Sequence, residues 1–85
     1  MTAMATVLLL SWPGCHLCDQ ARSVLEGVQA THPFVLEERD IEADDATLKA
    51  YLERIPVVAL DGAELYDFFV DADDLRTRLA AGRRE

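Results

Sequence analysis

The stretch SWPGCHLCD, Ser11 to Asp19, holds both cysteines of this 85-residue chain, Cys15 and Cys18, three positions apart. Two cysteines scattered at random over this length would fall at that spacing roughly one time in forty, so chance is a poor explanation. A structural staple is another poor one, because closing so short a loop stabilises by only about 2 kcal/mol in the chain-entropy account. Zinc asks for about four ligands. The only histidines are His16, which sits inside the short loop, and His32, so no self-contained metal site is expected. A cluster shared between two chains stays open. A reactive dithiol is the reading to test against the elements on either side.

Upstream, Thr6 to Leu10 is a continuous apolar run with β-branched residues, the pattern of a strand buried on both faces. Pro13 and Gly14 interrupt it. Downstream, Leu17, Ala21, Val24, Leu25 and Val28 recur at helical spacing. They predict a helix that starts between Cys15 and Leu17 and ends before His32-Pro33. Phe34 to Arg39 reads as a second strand and Asp40 to Asp45 as an acidic bend. Leu48, Tyr51, Leu52 and Ile55 mark a short second helix, which Pro56 stops. Val57 to Leu60 is a third strand.

Asp61-Gly62 is a two-residue hairpin signal, because glycine takes positive φ without a Cβ clash. Ala63 to Phe68 is therefore a fourth strand, antiparallel to the third. Asp71 is a good N-cap for a last helix, with Asp73 and Asp74 in its first turn. Leu75 and Leu79 face its core side, and Gly82 ends it. The order is β-α-β-α-β-β-α in a single domain over residues 1–85, an α/β fold. Its first two strands are parallel through a right-handed crossover. A four-stranded mixed sheet flanked by three helices follows.

With 51% hydrophobic residues the chain can bury a modest core. Its longest apolar run, Val7 to Leu10, is far short of the roughly 20 residues of a membrane span. A basic flank and small-residue cleavage site are also missing, so a cytoplasmic protein without membrane contact is expected. Sixteen acidic against eight basic residues give a formal charge of −8. Nucleic acid demands clustered Lys and Arg and is not an expected partner. Arg76, Arg78, Arg83 and Arg84 crowd the end of the chain, where they would complement the last helix's C-terminus.

Placed this way, Cys15 lies where a buried strand gives way to a helix and Cys18 lies one turn in. Unpaired amides and the positive end of the helix dipole converge on that first turn and stabilise negative charge. The thiolate is the nucleophile, and helix N-termini lower cysteine pKa values from about 8.5 to as little as about 3.5. His16, protonated and turned toward the sulfur, would add to this. Cys15 is thus the expected nucleophile, and Cys18 the thiol that resolves its mixed disulfide.

The element order with C-x-x-C at the first strand–helix junction resembles the thioredoxin fold in its minimal, glutaredoxin-sized form. The segment LLLSWPGCHLCDQARSVL is similar to the S-[K/R]-P-x-C-x-x-C opening of glutaredoxins and small bacterial glutaredoxin-like redoxins. ERIPVVALDG resembles the cis-proline strand and hairpin of the same families. The similarity covers about residues 5 to 80. It implies that Pro56 follows a cis bond and packs beside the cysteines, and that the Ile55 main chain pairs with an extended substrate. By the same resemblance, Trp12, Pro13, Gly14, His16 and Leu17 would line the substrate site around the dithiol.

Two departures bear on the electron donor. Trp12 stands where glutaredoxins usually carry a Lys or Arg that supports the thiolate and the glutathione carboxylate. The indole would instead give an apolar platform to a protein substrate or cover the site edge. Where the family usually has a Gly-Gly turn before the last helix, this chain has YDFFVDADDL. Asp71, Asp73 and Asp74 would hold that helix N-terminus themselves and repel an anionic tripeptide within a Debye length of about 8 Å. Glutathione is therefore a doubtful ligand.

The remaining candidates have plainer readings. His32 is read as a loop histidine, and Asp19 as a partner of the helix dipole rather than a base beside Cys18. Tyr51, Tyr66, Phe68 and Phe69 are read as core or rim packing.

The resemblance implies a monomeric thiol–disulfide oxidoreductase, with a place in electron transport and cell redox homeostasis. It would reduce a disulfide-containing protein or small molecule, with a reductase or glutathione as electron source. The Cys15–Cys18 redox disulfide would be its only active group, with no required cofactor and no metal. The alternatives are a glutathione-dependent glutaredoxin and a non-catalytic redoxin-fold adaptor or iron–sulfur carrier.

Overall fold

The computed structural model describes residues 4–82. Its first strand, β1 (Thr6–Ser11), runs through the middle of a four-stranded sheet of order β2-β1-β3-β4. Strand β2 (Val35–Asp40) pairs with β1 in parallel, whereas β3 (Val57–Leu60) pairs antiparallel with both β1 and β4 (Ala63–Asp67). The crossover between β1 and β2 is α1 (His16–Thr31). A 3-10 turn (Ile41–Ala43) and α2 (Asp45–Tyr51) connect β2 to β3, and α3 (Ala72–Gly82) closes the chain. This is the thioredoxin-like order expected above.

Alternation explains why β1 is apolar throughout. Val7 and Leu9 point to one face, where Ala21, Leu25 and Val28 of α1 and Leu75 and Leu79 of α3 meet Val58 and Phe34. Leu10 points to the other face and packs with Ile41 and Val57, against Leu8, Leu48, Tyr51 and Ile55. A central strand between two such clusters has no polar face to show. Each fully buried Leu or Val here contributes about 1.5–3 kcal/mol relative to exposure. No helix among the described residues is long and apolar enough to cross a membrane.

Local signals set the ends of the elements. Asp61 and Gly62 both take positive φ, +48° and +90°, as a two-residue hairpin of right-handed strands requires. Asp61 also clasps the start of β1: its carboxylate accepts the Thr6 amide at 2.9 Å, and its own amide donates to Thr6 O at 2.8 Å. Asp44 caps α2 through the Thr47 amide at 3.1 Å, and Asp71 caps α3 through the Asp74 amide at 3.0 Å.

Several expectations shift. Strand β2 begins at Val35 rather than Phe34, which is buried under the crossover while its carbonyl accepts from Gln29 Nε2 at 2.8 Å. Helix α2 ends at Tyr51, leaving Leu52 42% exposed instead of on an apolar stripe. Leu52 keeps helical angles and its amide donates to Leu48 O at 2.9 Å, so it sits on the solvent side of the last turn, and the chain turns through residues 52–54 before Pro56. Arg76 and Arg78 do not serve the C-terminus of α3. They reach back to its first turn, pairing with Asp73 at 3.0 Å and Asp74 at 2.7 Å. Spacings of three and four residues put each pair on one helix face, with the carboxylate N-terminal to the cation, the better orientation. Arg83 and Arg84 lie outside the described residues.

Candidate active site

Trp12, Pro13, Gly14 and Cys15 form a turn in which the Cys15 amide donates to Trp12 O at 3.2 Å. Pro13 presets its own φ, and Gly14 sits at φ +82°, the combination of a type II turn. A Cβ at Gly14 would meet nothing within 4 Å, so only the backbone angle calls for glycine there. The turn delivers Cys15 to the N-cap of α1 with extended angles, φ −84° and ψ 112°. Its Sγ accepts the Cys18 amide at 3.1 Å, as a capping serine or aspartate oxygen would.

The two sulfurs are placed unequally. Cys15 is half-buried at the mouth of the helix, whereas Cys18 is 1% exposed beneath it. They are joined as a disulfide, with their Cα atoms 5.2 Å apart. His16 lies exposed beside them.

The Ile55–Pro56 bond is cis. Leu10 pairs with Val57, so extending that register by one residue sets buried Pro56 opposite Ser11, at the sheet end from which the dithiol turn departs. Pro56 O accepts the Phe68 amide at 2.7 Å, and the Ile55 amide is already bonded to Tyr51 O at 3.2 Å. Ile55 is half-buried and, like Trp12, packs against the Leu10, Ile41 and Val57 cluster. The indole is thus braced from below and covers the edge of the neighbouring cleft.

On the far side of the turn from α3 lies a cleft of about 380 Å³, bounded by Trp12, Pro13 and Gly14 and by charged groups that sequence reasoning missed. Arg22 of α1 grips Glu38 of β2 with two nitrogens, its Nε at 2.8 Å, and reaches Asp19 at 2.9 Å with a third. Ser11 Oγ, buried at the end of β1, donates to the same Glu38 carboxylate at 2.8 Å. The Arg22 hydrogen bonds hold Glu38 below the ordinary carboxylate value, and Ser11 adds to this against the upward push of burial. Asp40 lines the cleft as well and caps the 3-10 turn through the Glu42 amide at 2.8 Å. Asp19 therefore serves Arg22 rather than the resolving thiol. Among the described residues no group of three or more His, Cys, Asp or Glu is arranged to hold a metal.

A helix-capping C-x-x-C at a strand–helix junction, with a cis-proline at the same end of the sheet, can be set beside known families. The Glutaredoxin-like domain matches residues 6–80. The chain belongs to that family. Protein XcR50 of X. campestris shares 37% identity over 88% of this chain and 96% of its own, with a TM-score of 0.70. Protein Ne2328 of Nitrosomonas europaea is 25% identical over 92% and 94%, with a TM-score of 0.80. The thioredoxin of Halobacterium salinarum, 17% identical over 98% of this chain and 78% of its own, shares the fold at a TM-score of 0.69. None of the curated proteins matches.

This glutaredoxin-like domain keeps the turn before α3 without its glycines. Phe68 takes φ +71°, a conformation that costs a bulky residue on the order of 1–3 kcal/mol. Phe68 and Phe69 are 42% and 69% exposed, so of core and rim only the rim holds for them. Tyr66 does pack on the main cluster, and its hydroxyl donates to Asp74 at 2.6 Å; Tyr51 packs on the second cluster and donates to Glu64. His32 is the C-cap of α1, its amide donating to Val28 O at 2.8 Å, in keeping with a loop histidine. The predicted site residues thus divide. Trp12, Pro13 and Gly14 border the charged cleft, while Leu17 faces Phe68 and Phe69 across a second groove.

Proposed function

We propose that this glutaredoxin-like protein is a thiol–disulfide oxidoreductase of a reducing, cytoplasmic compartment, working as a monomer on disulfide-bearing proteins or small molecules. The observation that carries the reading is the position of half-buried Cys15 at the N-cap of α1, its Sγ accepting the Cys18 amide at 3.1 Å, over a fully buried Cys18. In the reduced state that amide and the helix dipole favour the Cys15 thiolate.

The thiolate attacks one sulfur of the substrate disulfide. A Cys15–substrate bond forms, and the second substrate sulfur leaves as a thiolate that takes a proton from solvent. Cys18, deprotonated, attacks Cys15 and frees the first substrate sulfur. Two electrons pass from the dithiol to the substrate, and the Cys15–Cys18 disulfide remains to be reduced. Trp12, Pro13, Gly14, His16, Leu17 and Pro56 surround this exchange, and the Ile55 carbonyl is the main-chain group left to pair with an extended substrate.

A protein reductase is the better electron source than glutathione. Trp12 supplies no cation, phenyl rings stand where glutaredoxins usually have Gly-Gly, and Asp71 already takes the Asp74 amide at the α3 N-terminus. Charge repulsion is the smaller part of the case, because Arg76 and Arg78 offset Asp73 and Asp74. No metal or further cofactor takes part in this scheme.

The test is trapping with insulin as the disulfide probe. Cys18→Ser should accumulate a mixed disulfide on Cys15, Cys15→Ser should form none, and the wild type should turn over faster with thioredoxin reductase than with glutathione and glutathione reductase. Insulin trapped on Cys18 would sink the assignment of roles, and efficient turnover with glutathione would reverse the choice of donor. Iron absorbance in anaerobically purified protein would redirect the reading to a carrier.

A further inference from the structure

Phe69, at 69%, is the most exposed large apolar side chain among the described residues, and Phe68 follows the same turn into solvent at 42%. Scattered apolar residues on a surface need no explanation. These two are held out by the backbone. Phe68 sits at φ +71°, where bulky side chains rarely go, and two hydrogen bonds keep it there. Its amide donates to Pro56 O at 2.7 Å, and the Phe69 amide donates to Asp67 O at 2.8 Å. The first bond couples the strained turn to the cis-proline at the dithiol end of the sheet.

Facing the rings is the helix that carries both cysteines. Leu17, which lies between them in the chain, and Ala21 and Val24 on the next turns enclose a groove of about 90 Å³ with Phe68, Phe69 and Val70. That space suits one aliphatic side chain and not a tripeptide. Its surroundings are acidic. Asp71 flanks the rings, as does Asp67, which shares the one cation Arg54 with Glu64, and across the Trp12–Cys15 turn the cleft sets Asp19, Glu38 and Asp40 against the single cation Arg22. The Arg22 nitrogens are engaged by Glu38 and Asp19, and the chain as a whole carries −8. An acidic segment would meet like charge on both sides of the dithiol, and a basic one is drawn in.

We propose that the groove between Phe68–Phe69 and Leu17–Val24 receives an apolar side chain next to the disulfide cysteine of a basic protein segment, and so selects the substrate of the dithiol. The inference rests on the oxidoreductase reading above and adds the class of protein it acts on.

Short synthetic peptides with one cysteine held as its mixed disulfide with thionitrobenzoate test it. One carries Leu beside the cysteine and flanking lysines, a second replaces that Leu with Ser, and a third keeps Leu but exchanges the lysines for aspartates. Reduced protein, freed of small thiols, is mixed with each, and the coloured thionitrobenzoate released in one turnover is followed.

Burial of one leucine should make the first peptide about tenfold faster than the second. The first should also outpace the third at low salt, with the gap closing near about 0.5 M. Phe69→Ser and Phe68→Gly should each bring the Leu-to-Ser ratio close to one, and glycine accepts the angle at 68, so that variant reads the ring rather than the turn. A wild-type ratio near one, or a ratio that survives both variants, overturns the inference while leaving the oxidoreductase reading in place. A dimer in sedimentation that Phe69→Ser dissolves overturns it by assigning the rings to a second copy. Absence of release from every peptide fails the oxidoreductase reading itself, and this inference with it.

Discussion

The Cys18 amide donates to Cys15 Sγ across 3.1 Å, so the second cysteine of the pair supplies the hydrogen bond that caps the first. Sequence spacing and helix geometry produce this together. An N-cap acceptor reaches the amide two or three positions on, and C-x-x-C puts the second cysteine three positions on. The same turn of helix carries Cys18 inward, where it is 1% exposed. The dithiol is therefore asymmetric by construction.

That asymmetry is measurable in the reduced protein. Alkylation by iodoacetamide, followed by mass spectrometry of the modified peptide, should occur at Cys15, with an apparent pKa clearly below about 8.5. Reaction first at Cys18, or a Cys15 that titrates like a free thiol, removes the basis of the mechanism.

Glu38 should report on the clamp behind the Trp12–Cys15 turn. Its carboxyl is held low by Arg22 first and by Ser11 after, so the folded state binds its proton more weakly than the unfolded chain. The stabilisation is then present above the ordinary carboxylate value near 4.5 and is lost as pH falls through the lower folded value. Glu38→Gln should lower stability at neutral pH by about 1 kcal/mol or less, since the pair is partly exposed. Urea melts of the two proteins should converge in acid, and a gap that persists there would assign the loss to packing instead.

Phe68 reverses an ordinary preference. Truncation to Ala or to Gly removes the same ring, but only glycine adopts φ +71° without a clash. Phe68→Gly should be the more stable of the two by about 1 kcal/mol in chemical denaturation. If alanine is equal or better, the turn relaxes in solution and the left-handed angle is not maintained.

Both tyrosines of the chain should ionise late. Burial first, and then the Asp74 carboxylate, push Tyr66 above its ordinary value of 10.0; the Glu64 carboxylate first, and then burial, push Tyr51 the same way. Raised folded values mean stability that is complete below about pH 10 and declines as pH climbs through them. Phenolate absorbance should therefore rise at higher pH in the native protein than in urea. Coincident titration curves would show that neither hydroxyl keeps its carboxylate partner. Tyr66→Phe should remove the Asp74 hydrogen bond at a cost of about 1 kcal/mol.

Much of the architecture was legible because its signals are local. Period-2 burial, helical spacing, the Asp71 cap and the Asp61-Gly62 turn each act within a few residues, and β1, α1, β3, the hairpin and α3 lie within a residue or so of where those signals put them. The Cys15–Cys18 pair was legible for the same reason. Leu52 was misread because an apolar residue at helical spacing need not face the core: it sits on the solvent side of the last turn of α2.

The sequence by itself determined the secondary elements, their order and the placement of Cys15 at a helix mouth, since each depends on steric and capping preferences of near neighbours. Only the tertiary structure decided what surrounds that sulfur. Ser11 meets Glu38 across 27 positions through the parallel register of β1 and β2, and Phe68 is held by the carbonyl of Pro56, just before the adjacent strand. These are choices among competing partners, and chain folding in three dimensions sets which partner is in reach.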